Sequence, residues 1–347
     1  MSEVVRGALA TVVEGGTLTR AEAQAAMGAI MDGEATPSQL AALLVALRMR
    51  GESTAELAGF ASAMRERVLR VDAPEGAIDI VGTGGDGRRT FNISTAAALV
   101  VAATGVPVAK HGNRAITSAS GSTDVLEALG VTVEQGPDAA AASLREDGFA
   151  FLFATGYHPA MKHAGPTRRE IGIRTAFNLL GPLTNPAGVR RQVLGVADGA
   201  VAPRLAAVAR ELGTERTFVI HGERLDELPL DGSGVLYDVR PAGVARREVG
   251  LAELRACGLG PAPTEALAGG TPAENAALIV ALLGGARGPQ RDVVLLNASA
   301  ALEVAGRAAD LAEGVRRAAA AIDSGAAGER LERLRARHAR SEAGVTA

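Results

Sequence analysis

The chain has 347 residues, enough for one large domain with a smaller one beside it. Hydrophobic residues make up 47% and charged residues 22%, the balance of a soluble globular protein, and the net charge of −3 excludes a broad basic field for nucleic acid or a membrane surface. No run reaches the ~18 apolar residues of a membrane span, Glu3, Arg6 and Glu14 interrupt any apolar leader, and a lone Cys257 excludes a disulfide framework; the expected location is cytoplasmic.

Residues 1–72 are predicted to form a helical domain. Thr19 opens a helix with Ala23, Ala26, Met27, Ile30 and Met31 on one stripe, ending at Gly33; Thr36 caps a second that closes on Gly51; Thr54 begins a third through Leu57, Phe60 and Met64. Residues 73–347 then change period. The runs 77–81, 106–110, 131–134, 149–154, 192–196 and 216–220 read as strands, with helices predicted near 94–104, 123–129, 138–147 and 201–212. Such alternation implies right-handed crossovers and a mostly parallel sheet, with 235–239 as an added edge strand. From residue 273 the pattern is helical again, and the Arg/Glu-rich end is expected to fray.

Polar clusters follow the strands directly. GTGGDG (82–87) follows the first, KHGNR (110–114) the second, HPAMKH (158–163) comes after 149–154, and HGERLDE (221–227) ends 216–220. Loops at strand carboxyl ends converge over the sheet edge, so the four should share one crevice. Gly82, Gly85 and Asp86 form a tight turn that fits neither the dinucleotide fingerprint nor a P-loop. Thr90, Asn92, Ile93, Ser94 and Thr95 lead into an apolar helix whose amino end suits phosphate as well as a simple cap. The chain has only two lysines, Lys110 and Lys162. A lysine kept beside His111, Gly112, Asn113 and Arg114 favours contact with phosphate or diphosphate. Ser118 and Ser122 add hydroxyls. Asp226 and Glu227 are an acidic pair suited to Mg²⁺ on phosphate, or else to surface charge. Arg168 matches a carboxylate by two parallel hydrogen bonds, though a helix-surface pair with Glu170 is equally compatible with the sequence. The residues alone therefore describe an α/β enzyme acting on a Mg²⁺-bound phosphorylated substrate.

Together GTGGD, NIST, KHGNR, SGSTDVLEALG, HPAMKH, RREIGIRTAFNLLGPLTNP and LDE resemble the anthranilate phosphoribosyltransferase family, in order and spacing, at least to Asp238. The resemblance implies the nucleoside-phosphorylase-like fold, with a small helical domain completed by about 168–186 and serving as a homodimer interface. It implies transfer of the phosphoribosyl group of phosphoribosyl diphosphate to the amine of anthranilate. Gly82, Gly85, Asp86, Thr90, Asn92, Ile93, Ser94, Thr95, Lys110, Gly112, Asn113, Arg114, Ser118 and Ser122 would hold the sugar diphosphate. Ser94, Asp226 and Glu227 would serve Mg²⁺, two ions per monomer; Gly82, His111, Asn113, His158 and Arg168 would hold anthranilate. Lys110, His111 and Arg168 are the expected catalytic residues, with no essential general base, His111 being the candidate if one is used. Two departures stand out: the loop before the acidic pair looks short, with Arg224 where glycine is common, and Thr117 and Ala119 replace residues more often serine and a longer side chain. A pyrimidine nucleoside phosphorylase on the same fold would lack the acidic pair, and a nucleic-acid-binding paralogue would need a basic groove; neither pattern is present.

Overall fold

The computed structural model describes residues 1–85, 87–114 and 120–345, excepting the side chains of 341–345, so Asp86, Thr117, Ser118 and Ala119 lie outside the described residues. Four helices come first: α1 (Glu3–Val13), α2 (Arg20–Met31), α3 (Pro37–Arg50) and α4 (Thr54–Glu66). Thr19 with Glu22 and Thr36 with Gln39 form capping boxes, each pair satisfying two amides that a helix start leaves open. At α4 the capping residue is Ser53 rather than Thr54, because the Ser53 hydroxyl accepts from Glu56 N while Glu56 accepts from Ser53 N.

The alternating part runs β1 (Ile78–Gly82), α5 (Ile93–Ala103), β2 (Val108–Gly112), α6 (Ser122–Ala128), α7 (Pro137–Asp147) and β3 (Phe149–Phe153). Short helices α8 (Ala154–Tyr157), α9 (Gly165–Ile171) and α10 (Phe177–Leu180) precede β4 (Arg191–Gly195), α11 (Ala202–Glu211), β5 (Arg216–His221), β6 (Gly234–Arg240) and β7 (Gly243–Val249). The chain ends in α12 (Leu251–Ala256), α13 (Pro272–Leu283), α14 (Pro289–Val304), α15 (Leu311–Asp323) and α16 (Ala326–Val345).

The seven strands form one sheet ordered β3-β2-β1-β4-β5-β6-β7, parallel from β3 through β5, with β6 and β7 antiparallel. The small helical domain and the large, mostly parallel α/β domain are thus both present. Two expectations change. Residues 131–134 are not a strand; Val131 and Val133 instead insert into the core as a loop. The run 235–239 is not the edge, because β7 pairs along its outer side. The Arg/Glu-rich end is helical as far as described, and α16 is docked by Arg335 Nε on Leu129 O (2.6 Å) and His338 on Thr132 (3.1 Å).

Alternation along the strands divides the interior. Ile78, Ile80, Phe151, Phe218 and Ile220 face α5 and the carboxyl-terminal helices. Leu194 and Val219 face the other way, into a core shared by α1–α4, α11 and the segment holding Ala176, Phe177, Leu180 and Leu183. Cys257 is buried, as expected of a small apolar side chain. β1 has β2 on one side and β4 on the other, so the winding reverses there and the strand ends open into a crevice.

Candidate active site

At that reversal the backbone must pass very close to an acidic side chain. A methyl group on Gly82 would overlap Asp226 Oδ2, and one on Gly195 would overlap the Asp226 carbonyl oxygen. Asp226 Oδ2 accepts from Gly84 N (2.8 Å), and Thr83 N donates to Gly195 O (2.9 Å), so the glycine turn and the acidic loop are tied together across the crevice. Gly85 has φ +75°, and the Arg174 guanidinium lies against it while donating to Thr83 O (3.1 Å). The short loop before Asp226 closes on itself through Gly222 N to Leu225 O (2.8 Å), with Arg224 in the left-handed region at φ +57°. Glu227 is buried, and both carboxylates are close enough to attract the Lys110 charge.

Between β1 and β2 the ladder has one registered pair, Ile78 with Val108, whereas β1 and β4 pair over five positions from Ile78 to Gly82. Beyond that pair, side chains take over the backbone hydrogen bonds. Lys110 Nζ donates to Ile80 O (2.6 Å) and to Ser94 Oγ (3.2 Å), and Asp79 Oδ1 accepts from His111 N (3.1 Å). Burial pushes the Lys110 ammonium below its ordinary pKa, opposed by the charges of Asp79, Glu227 and Asp226.

The start of α5 is built by contacts from distant segments. Thr90 bridges Ala268, and Asn92 Nδ2 donates to Ser120 O (3.1 Å) while Asn92 Oδ1 accepts from Asn275 Nδ2 (3.0 Å) and from the Ser120 hydroxyl (3.1 Å). The Asn92 side chain thus ties the start of α5 to Ser120 and Asn275. Ile93 and Thr95 are buried, and their amides bond to Phe91 O and Asn92 O. Ser94 is left at the helix mouth beside the Lys110 ammonium.

Side-chain alternation on β2 sends Lys110 toward α5 and His111 to the opposite face. His111 Nδ1 lies 3.0 Å from Gly181 O, which fixes the proton on Nδ1 and leaves Nε2 as a lone-pair acceptor. Its ring stands 5.3 Å from that of His158, and both Nε2 atoms are buried without a hydrogen-bond partner among the described residues. Burial pushes His111 down to about 3 and His158 to about 4, so both are neutral at pH 7. Arg168 lies over the Phe177 ring (4.7 Å), half-buried, with no carboxylate partner among the described residues; the pair with Glu170 does not form. The hydroxyl of Ser122 bonds to Asn113 O (3.3 Å), and a methyl at Gly112 would overlap Ser122 Oγ. Arg114 departs from expectation. Its guanidinium is held by Glu127 (2.6 and 2.7 Å) and Asp124 (3.3 Å), so it braces the loop instead of offering a charge to phosphate. Lys162 is exposed and joins no part of this crevice.

Two family models cover nearly all of the chain: the glycosyl transferase family helical bundle domain matches residues 6–68, and the glycosyl transferase family a/b domain matches 74–328. An anthranilate phosphoribosyltransferase of Thermomicrobium roseum is 52% identical over 335 residues, covering 96% of each chain, and one of Chloroflexus aggregans is 54% identical over 332 residues, covering 95% of this chain and 97% of its own. The chain belongs to the anthranilate phosphoribosyltransferase family. Among solved members, the Thermus thermophilus enzyme superposes with a TM-score of 0.89 at 46% identity, covering 95% of this chain and 99% of its own. The Saccharomyces cerevisiae enzyme in complex with PRPP and Mg gives 0.88 at 27% identity, covering 98% and 99%.

Sequence reasoning missed several residues that shape this family's site here. Asp79, Asn185 and Asn275 are buried polar side chains that brace the site from behind, with partners up to 183 positions away. For Asp79 a signal existed: it is the one charged residue within the apolar run 77–81. Arg174 and the Gly181 carbonyl carried no such sign, since their roles depend on how α9 and α10 fold back over the strand ends.

Proposed function

We propose that this chain transfers the phosphoribosyl group of 5-phosphoribosyl 1-diphosphate to the amine of anthranilate, giving N-(5-phosphoribosyl)anthranilate and diphosphate in tryptophan biosynthesis. The observation that carries the acceptor half is Arg168: a half-buried guanidinium on an aromatic face, with no carboxylate partner among the described residues, matches the carboxylate of an aromatic acid. His111 and His158 add two neutral acceptor nitrogens, suited to the two N–H groups of an arylamine. The yeast relative's structure with 4-fluoroanthranilate, at 26% identity and TM-score 0.84, supports the same class of acceptor.

The donor half rests on the opposite face of β2. Lys110, Ser94 and the glycine turn at Gly82–Gly85 supply a cation, a hydroxyl and close-approach backbone, with Gly112, Asn113 and Ser122 beside them. Asp226 and Glu227, without thiol or imidazole ligands, suit a hard divalent ion, and we assign Mg²⁺ to them with Ser94, two ions per monomer. Bound Mg²⁺ would neutralise charge developing on the departing diphosphate. As the C–N bond to the anomeric carbon forms and the C–O bond to diphosphate breaks, Lys110 stabilises the leaving group. An arylamine is neutral at pH 7, and a histidine held near 3 is a weak base; His111 therefore orients the amine and is not required to deprotonate it before attack.

The division at about residue 72, with 168–186 completing the helical part, is proposed as the hinge whose closure excludes water. No helix among the described residues is long and apolar enough to cross a membrane. The test is the fall in anthranilate fluorescence with phosphoribosyl diphosphate and Mg²⁺. Folded protein that consumes no anthranilate overturns this reading.

A further inference from the structure

The opening between β1 and β2 is held by a buried carboxylate–amide pair that belongs to neither substrate subsite. Asp79 is fully buried, and its two oxygens serve different partners: Oδ1 accepts from His111 N (3.1 Å), Oδ2 from Asn185 Nδ2 (2.7 Å). The same Asn185 nitrogen donates to Ala109 O (2.8 Å), the carbonyl just before Lys110, and Asn185 Oδ1 accepts from Ala187 N (2.8 Å). These contacts occupy backbone groups that a continued β1–β2 ladder would otherwise pair, and that ladder stops after Ile78–Val108. Asn185 also ends the segment carrying Gly181, whose carbonyl orients His111.

We infer that Asp79 and Asn185 are positioning residues that hold the opening between β1 and β2, and so fix where Lys110 and His111 stand at the two substrate sides. Neither touches a substrate in this scheme; the pair acts through Lys110 on the donor side and through His111 on the acceptor side. A carboxylate suits this place better than an amide, because its charge joins those of Glu227 and Asp226 in offsetting the buried Lys110 ammonium. The inference rests on the proposed reaction for its kinetic readout, but wild-type turnover tests that reaction separately.

The experiment compares Asp79→Asn, Asn185→Asp and the exchanged pair in the full chain. Asp79→Asn keeps the shape and can still accept from His111 N, but removes the charge and sets two amide NH₂ groups against each other. It should lose roughly 10- to 100-fold in kcat/KM for phosphoribosyl diphosphate, with melting temperature little changed. The double variant returns a carboxylate to the same pocket and restores the 79–185 bond, at the expense of a carboxylate oxygen at position 185 facing Ala109 O; it should recover part of the loss. Asp79→Asn kinetics within twofold of wild type, or a folded double variant no better than Asp79→Asn alone, would overturn the inference. If Asp79→Asn does not fold, Asn185→Ser, which removes both amide contacts without burying a new charge, decides: a raised KM for both substrates supports the pair as positioning, and wild-type kinetics refute it.

Discussion

Arg168, stacked on Phe177 with no carboxylate partner among the described residues, is placed to take a partner from a ligand. A charged hydrogen bond of this kind is worth about 1.5–3 kcal/mol, so Arg168→Ala should weaken anthranilate roughly 10- to 150-fold while leaving the KM for phosphoribosyl diphosphate unchanged. Steady-state kinetics in both substrates check it; a change confined to phosphoribosyl diphosphate would move Arg168 out of the acceptor site. The neighbouring histidines make a second prediction, about stability and pH. In the unfolded chain both titrate near 6.5, but burial depresses them to about 3 and about 4 in the fold. Their depressed values mean stability that is fully present above pH 6.5 and lost as pH falls toward 4, at up to about 1.4 kcal/mol per pH unit for each. Asp79 runs the other way: burial lifts its carboxyl to about 6, so the fold gains a proton there between pH 6 and the unfolded value, offsetting one histidine. Stability from urea unfolding should therefore fall by about 1 kcal/mol per pH unit between pH 6 and pH 4. His158→Gln should make that slope nearly flat, and an unaltered slope would clear His158 as its source. Arg224 offers a third test, because its left-handed backbone at φ +57° costs an L-residue roughly 1–2 kcal/mol that glycine avoids. Glycine's greater unfolded freedom returns 0.5–1 kcal/mol of that as an order of magnitude, so Arg224→Gly should raise stability by about 1 kcal/mol or less, read from the thermal midpoint.

At the scale of elements, the site is made by strand ends that approach more closely than side chains normally allow. Gly82→Ala places a methyl on the Asp226 carboxylate, at the join between the glycine turn and the acidic loop. It should leave the fold intact, since the carboxylate can swing aside, while raising the Mg²⁺ concentration for half-maximal rate about tenfold. An unchanged Mg²⁺ titration would separate Asp226 from the metal. Much of this scale was legible in the sequence. The periodicity placed β1 to β5 and their helices to within two residues, and the convergence of GTGGD, KHGNR and LDE followed from their position after strands. What was not legible depended on partners distant in the chain. Residues 131–134 alternate like a strand, but no neighbour offers them a ladder; β7 hid behind Arg246, Arg247 and Glu248, the charges that an edge strand carries to deter pairing. Arg114 looked like a phosphate ligand until α6 brought Glu127 and Asp124 against it.

At the scale of the whole molecule, the helical part leaves apolar surface uncovered. Val4, Val13 and Met49, on the mutually packed helices α1 and α3, are 48%, 68% and 83% exposed, although most large apolar side chains of these helices are buried. Val13 and Met49, exposed near the carboxyl ends of these two helices, suit a docking surface, and the homodimer that the resemblance implies would cover them with a second copy. Val13→Asp with Met49→Asp would set two charges on each side of that contact, where like charges facing across a two-fold axis repel and lose hydration. The wild-type chain is expected to sediment as a dimer at micromolar concentration and this variant as a monomer. Both positions are exposed within one chain, so the variant's melting temperature should fall only by what the lost contact contributed. Lys110, His111, Arg168 and Asp226 all come from a single copy, so the monomer should keep its turnover number. A monomer that is folded but inactive would instead mean that the second copy holds the helical part in its working position over the crevice, and a wild type that is already monomeric would remove the dimer.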